Sequence, residues 1–222
     1  MIDLTECSVL SSLQSYSGTV RQHYERMEYS KVCLATLHFL ARLSADYLYL
    51  SKDRLYCEAG SGRARQSGLT TFVNILRTVT SILSPVLPHL TEEAALACPV
   101  LPSPFTQGWH EDPAWADPAM ASVSASLERI REELNKVEGV KLSESLAEVQ
   151  VPGPVFSLLQ DVASQEVAEV LGVLAVNLEV GQVEQVVRLD RSQAGPCVRC
   201  RRLVAPAGQE LCPRCLAVIQ TL

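Results

Sequence analysis

The sequence predicts a mainly α fold: an antiparallel helix bundle, then a small α+β module, then a compact four-cysteine ribbon. Three observations predict it. Apolar residues recur at three- and four-residue steps between residues 19 and 98. After Gly139 the pattern changes to alternation with period two. Two Cys-x2-Cys pairs, Cys197/Cys200 and Cys212/Cys215, close the chain with eleven residues between them.

Residues 19–56 read as a long helix with room for a break, with Val32, Ala35, Phe39, Leu40, Leu43, Tyr47 and Leu50 mostly on one face. Gly60-Ser61-Gly62 is a turn. A second helix carries Leu69, Phe72, Val73, Leu76, Val79 and Leu83 on one face, and Pro85 and Pro88 end it because proline cannot donate the helical bond. Pro88 followed by Glu92 and Glu93 opens a short helix to Cys98, proline sitting in the first turn and acids near the positive end of the dipole. These elements make residues 1–98 a helix bundle.

Residues 99–118 hold five of the twelve prolines and read as a linker or wrapped strap anchored by Phe105, Trp109 and Trp115. A helix over 119–138 places Val123, Leu127, Ile130, Leu134 and Val137 in register to pack on the bundle, and it stops at Gly139. Residues 140–191 form the α+β module: a strand at 145–151, a helix over 155–171, and strands at 175–180 and 185–189. Residues 192–222 form the ribbon.

Zn²⁺ takes a tetrahedron of soft ligands, and a tight turn with two intervening residues lets two sulfurs face one point. Cys197, Cys200, Cys212 and Cys215 therefore read as a structural zinc site. A disulfide pair or a redox Cys-x2-Cys fits less well, since a redox motif comes singly beside a βαβ pattern, and none is visible. Four thiolates leave no open position for a water, so no metal-assisted chemistry is expected. Cys7, Cys33, Cys57 and Cys98 are scattered and read as reduced thiols.

The composition is that of an ordinary globular chain, 47% hydrophobic and 20% charged over 222 residues. No apolar run reaches a membrane span, so no membrane partner is expected. The start Met1-Ile2-Asp3-Leu4-Thr5-Glu6 is no secretory signal. Net charge is -6, yet residues 188–222 carry six arginines against two acids. A basic module closing an acidic body can meet phosphates. There is no Gly-rich phosphate loop, no His-Glu-x-x-His and no Gly-x-Ser-x-Gly, and His23, His38, His89 and His110 make no constellation. No catalytic residue is assigned. Ser51 to Cys57 puts basic residues and an aromatic at a helix end, and Lys52 and Arg54 read either as solvated charges or as phosphate contacts.

Leu43-Ser44-Ala45-Asp46-Tyr47-Leu48, Lys52-Asp53-Arg54-Leu55-Tyr56-Cys57 and Leu83-Ser84-Pro85-Val86-Leu87-Pro88-His89-Leu90-Thr91-Glu92-Glu93-Ala94 resemble the anticodon-binding helix bundle of isoleucyl-tRNA synthetases. The helix 127–137, the segment 145–149 and the double Cys-x2-Cys are similar to the segments after the bundle in the bacterial and mitochondrial branch. The bundle alone also fits the valine and leucine enzymes; the zinc ribbon points to isoleucine. The resemblance implies tRNA-Ile as partner, held at its anticodon stem and loop by a monomer. It further implies ATP as cosubstrate of the full-length enzyme, and the mitochondrial matrix or a bacterial cytoplasm as location. The family's His-Ile-Gly-His and Lys-Met-Ser-Lys-Ser signatures are absent from this sequence. The chain is therefore expected to be a C-terminal piece, a short isoform, paralogue or partial product, inactive alone, or else an interaction protein that has kept the fold without tRNA. Cations for the RNA backbone and flat groups for unstacked bases are the chemistry needed. Lys52, Arg54, Tyr56, Arg199, Arg201, Arg202 and Arg214 are the expected RNA contacts.

Overall fold

A computed structural model describes residues 4–137, 139–160 and 162–220. The final residue of the expected 119–138 helix and one position of the expected 155–171 helix lie outside the described residues. Among the described residues the chain is mainly helical, with a small sheet and a cluster of four cysteines. No described helix is long and apolar enough to cross a membrane.

Helix α1 (Leu4–Glu25) runs antiparallel to α2 (Tyr29–Leu43). Tyr24 meets Tyr29, Tyr16 stacks on Phe39, and Tyr47 donates towards Glu6. Such nested pairs arise only when two helices fold back on each other. The turn between them needs a left-handed residue, and Met27 supplies it at φ 57°. A π-helical turn (Ser44–Leu48) joins α2 to α3 (Tyr49–Cys57). The expected long helix is thus the end of α1, then α2, the π-helical turn and α3, and α1 begins fifteen residues before the expected start. The sequence reading stopped short because α1 intersperses its buried Val9, Leu10, Leu13 and Tyr16 with Ser8, Ser11, Ser12 and Ser15. Serine competes with the helical backbone, and tertiary packing overrides that preference here.

Helix α4 (Arg63–Leu83) ends before Pro85, and α5 (Pro88–Ala97) opens on its proline. The strap then wraps the bundle. Trp115 is buried in the bundle core, and Trp109 packs edge-on against Tyr24 beneath the Arg21 guanidinium. Glu111 accepts from Arg21 at 2.6 Å and from Ser17. Phe105 is 57% exposed and anchors nothing, which corrects that expectation.

Helix α6 (Pro118–Asn135) starts on an Asp117 cap that accepts from Ala119 N–H and Met120 N–H. It touches α1, but its buried Val123, Leu127, Ile130 and Leu134 join the core of the module behind it. There β1 (Ser145–Pro152) is the central strand. Its inward Ala147, Val149 and Val151 alternate with outward residues, as a half-covered strand requires. Two helices, α7 (Gly153–Leu159) and α8 (Ser164–Leu171), replace the single one expected. They carry the chain to β2 (Ala175–Gly181), which pairs parallel to β1, and β3 (Gln185–Arg191) pairs antiparallel on its other side. A βαβ crossover is therefore present, contrary to the sequence reading. Leu4, at the head of α1, is buried in this second core.

Candidate metal centre and nucleic-acid interface

The C-terminal module begins as a ribbon and ends as a helix. Strands β4 (Gly195–Pro196) and β5 (Leu203–Ala205) pair around the first knuckle, and α9 (Pro213–Gln220) grows from the second. Pro213 in the first turn of α9 fixes Cys212 just before the helix and Cys215 within it. In the first knuckle Arg201 N–H donates to the Cys197 carbonyl at 2.7 Å, and Arg201 adopts a left-handed φ of 61°. That reversal brings Cys197 and Cys200 onto one point.

All four Sγ atoms lie within 4.8 Å of one another. A zinc tetrathiolate with bonds of about 2.3 Å has sulfur–sulfur edges of about 3.8 Å, so the quartet fits that ion. Cys200 and Cys212 sulfurs are 4.0 Å apart, well beyond a disulfide bond of about 2.05 Å. Burial disfavours the Cys197 thiolate, but backbone N–H groups of Cys200, Cys212 and Arg199 outweigh it and bring the thiol down to about 6. Cys212 N–H lies 3.4 Å from that sulfur. Burial pushes Cys200 up to about 12 and raises Cys212 as well. The Cys197 thiolate is stabilised by the backbone; a cation among the sulfurs would favour ionisation of Cys200 and Cys212. Bound zinc would cross-link the two knuckles.

The module docks on α3. Asp53 accepts from Arg214 at 2.6 and 2.8 Å and from Arg202 at 3.4 Å. Arg214 also reaches Glu58 at 3.1 Å, and Arg199 donates to the Cys57 carbonyl at 2.7 Å. Burial works against the Asp53 carboxylate, but the Arg214 hydrogen bonds and the charges of Arg214 and Arg202 hold it below the usual range. Asp53 raises the Arg214 pKa in return.

The seven expected RNA contacts separate into two groups. Arg54 is 4% exposed, donates to Glu6 at 2.8 Å and Glu169 at 2.7 Å, and is spent inside the protein. Glu6 is fully buried, so this pair is enclosed. Arg202 and Arg214 are held by Asp53 at the docking face. Lys52, Tyr56 and Arg201 face solvent, and Arg199 is half-buried at the edge of α3. The docking thus brings the α3 surface and the first knuckle together, although 142 residues separate Cys57 from Arg199. Sequence reasoning missed Asp53, Glu58, Glu6 and Glu169 as the partners of the arginines. It also missed Tyr49, which is 56% exposed and supports Lys52 Nζ at 5.3 Å from its ring centre. Helical spacing from Tyr56 was the available signal for Tyr49.

Residues 8–150 match the model of the anticodon-binding domain of tRNA ligase. A mitochondrial isoleucine–tRNA ligase of Gallus gallus is 28% identical over 252 residues, covering 95% of this chain and 25% of the relative. An isoleucine–tRNA ligase of Fervidobacterium nodosum is 28% identical over 236 residues, covering 95% and 26%. That of Fervidobacterium pennivorans reaches 43% identity over 86 residues, 38% of this chain and 9% of the relative. The chain spans about a quarter of the length of the relatives that match it end to end.

Proposed function

From the premise that this chain belongs to the anticodon-binding domain family of tRNA ligases, we propose that it is the tRNA-binding C-terminal part of an isoleucine–tRNA ligase. The observation that carries this reading is the docking of the four-cysteine module on α3. It seats the Arg199 guanidinium on the Cys57 carbonyl, at the end of the helix that carries exposed Lys52 and Tyr56, while the nearby acids Asp53 and Glu58 are engaged by Arg214. Cations for phosphates beside an exposed ring for bases are the chemistry that a folded RNA loop requires.

On this reading the chain binds the anticodon stem and loop of tRNA-Ile as a monomer and activates no isoleucine alone. Zinc held by Cys197, Cys200, Cys212 and Cys215 keeps the module folded and docked. Both mitochondrial and bacterial relatives match, so the proposed location is the mitochondrial matrix or a bacterial cytoplasm.

The test is a titration of tRNA-Ile and of anticodon variants at several salt concentrations. Binding that falls steeply with salt and weakens on zinc chelation supports the reading. Unchanged affinity after complete zinc removal overturns the part assigned to the module. A second reading, a helical interaction protein without tRNA, is favoured by the internal use of Arg54, Arg202 and Arg214. Absence of any tRNA binding would select it.

A further inference from the structure

Tyr49, Lys52 and Tyr56 stand three and four residues apart on α3, so they share one face of that helix. Tyr49 is 56% and Tyr56 77% exposed, although large aromatic rings ordinarily gain by burial. Lys52 lies between them on that face, and its ammonium rests over the Tyr49 ring. The neighbouring carboxylates of Asp53 and Glu58 are engaged by Arg214.

The spacing has a chemical meaning. Seven residues of helix advance about 10.5 Å. Successive stacked bases rise about 3.4 Å, so that span equals roughly three stacking intervals. Ring, base, base, ring fills it.

The geometry points to Tyr49 and Tyr56 as paired end-stops for two adjacent unpaired bases, with Lys52 exchanging the Tyr49 ring for the phosphate between them. The occupant is single-stranded RNA, since a duplex keeps its bases stacked on each other and offers no free faces. The inference rests on the RNA-binding reading above and adds to it which side chains take bases and which takes phosphate. Arg54 has no part in it.

The experiment uses the intact zinc-loaded chain with two probes, an unstructured oligouridylate of about twelve nucleotides and a blunt RNA duplex of equal length. Tyr49→Ser and Tyr56→Ser are each expected to weaken oligouridylate binding by roughly 5- to 100-fold, with duplex affinity and the salt slope unchanged. Tyr49→Phe and Tyr56→Phe keep the ring and are expected to bind like the parent. Lys52→Ala is expected to weaken both probes and reduce the salt slope by about one. All these side chains lie on the surface, and circular dichroism with zinc content checks that each variant is folded. Equal losses on both probes in the serine variants, or parent-like oligouridylate binding by the double serine variant, overturn the stacking pair and leave the RNA reading standing. Failure of the parent chain to bind tRNA or either probe overturns both.

Discussion

The Asp53 carboxylate accepts both ends of the Arg214 guanidinium across 161 residues of chain. A two-pronged pair of this kind fixes orientation as well as distance. It makes the Lys52–Cys57 segment a seat for the four-cysteine module, which gives that segment an architectural task beside any contact with RNA.

Asp53→Asn is expected to undock the module at a cost of about 1–3 kcal/mol, a figure kept modest because both side chains are partly exposed. Arg214→Lys should cost nearly as much, since an ammonium cannot reproduce the fork. The folded carboxyl pKa lies below its ordinary value, so its contribution is complete above about pH 4 and is lost as pH falls through the folded value. Denaturant unfolding of parent and Asp53→Asn should therefore differ most at neutral pH and converge in strong acid.

Arg54→Ala leaves the buried Glu6 without its guanidinium and should destabilise the chain by about 3–5 kcal/mol. Thermal unfolding of Arg54→Ala beside Lys52→Ala checks this; only the first should lose stability. Equal stability of the two variants would contradict the enclosed pair.

Chelation of zinc, or Cys215→Ser, should unfold the module while α1 to α5 remain helical. Far-UV circular dichroism and metal analysis report it, with about one zinc released per chain. A parallel loss of the whole helical signal would refute separate melting.

Arg201→Gly should act in opposite directions on two measurements. Removing the side chain relieves the left-handed backbone and should stabilise the zinc-loaded module by about 1 kcal/mol. It also removes an exposed cation and should weaken RNA binding with a shallower salt dependence. Metal competition and RNA titration on one preparation give both signs.

Local signals in the sequence were the legible ones. Pro85 and Pro88 marked the break between α4 and α5, the alternation at 145–151 marked β1, and the cysteine spacing marked the cluster of four cysteines. The features that escaped depend on long-range partners. Arg54 reads as a phosphate contact until Glu6 and Glu169 are found against it, 48 and 115 residues away. Helix α1 escaped because its serines weaken the local preference that packing then overrules. The crossover between β1 and β2 escaped although strand, helix and strand were each expected in order, because the parallel pairing of the two strands is a long-range property that the separate segments do not display.

The proline-rich strap looks in sequence like a place to cut. The packing says otherwise. Leu4 is buried in the second core, its N–H donates to Glu166 at 3.1 Å, and Arg54 reaches Glu169. Trp115, within the strap itself, fills the first core. A fragment ending at residue 98 would carry two acid-partner defects and a vacant indole site. Heredity and folding thus draw different borders on this chain: the family match closes at residue 150, inside β1, while the acids that Leu4 and Arg54 use lie further on, in α8.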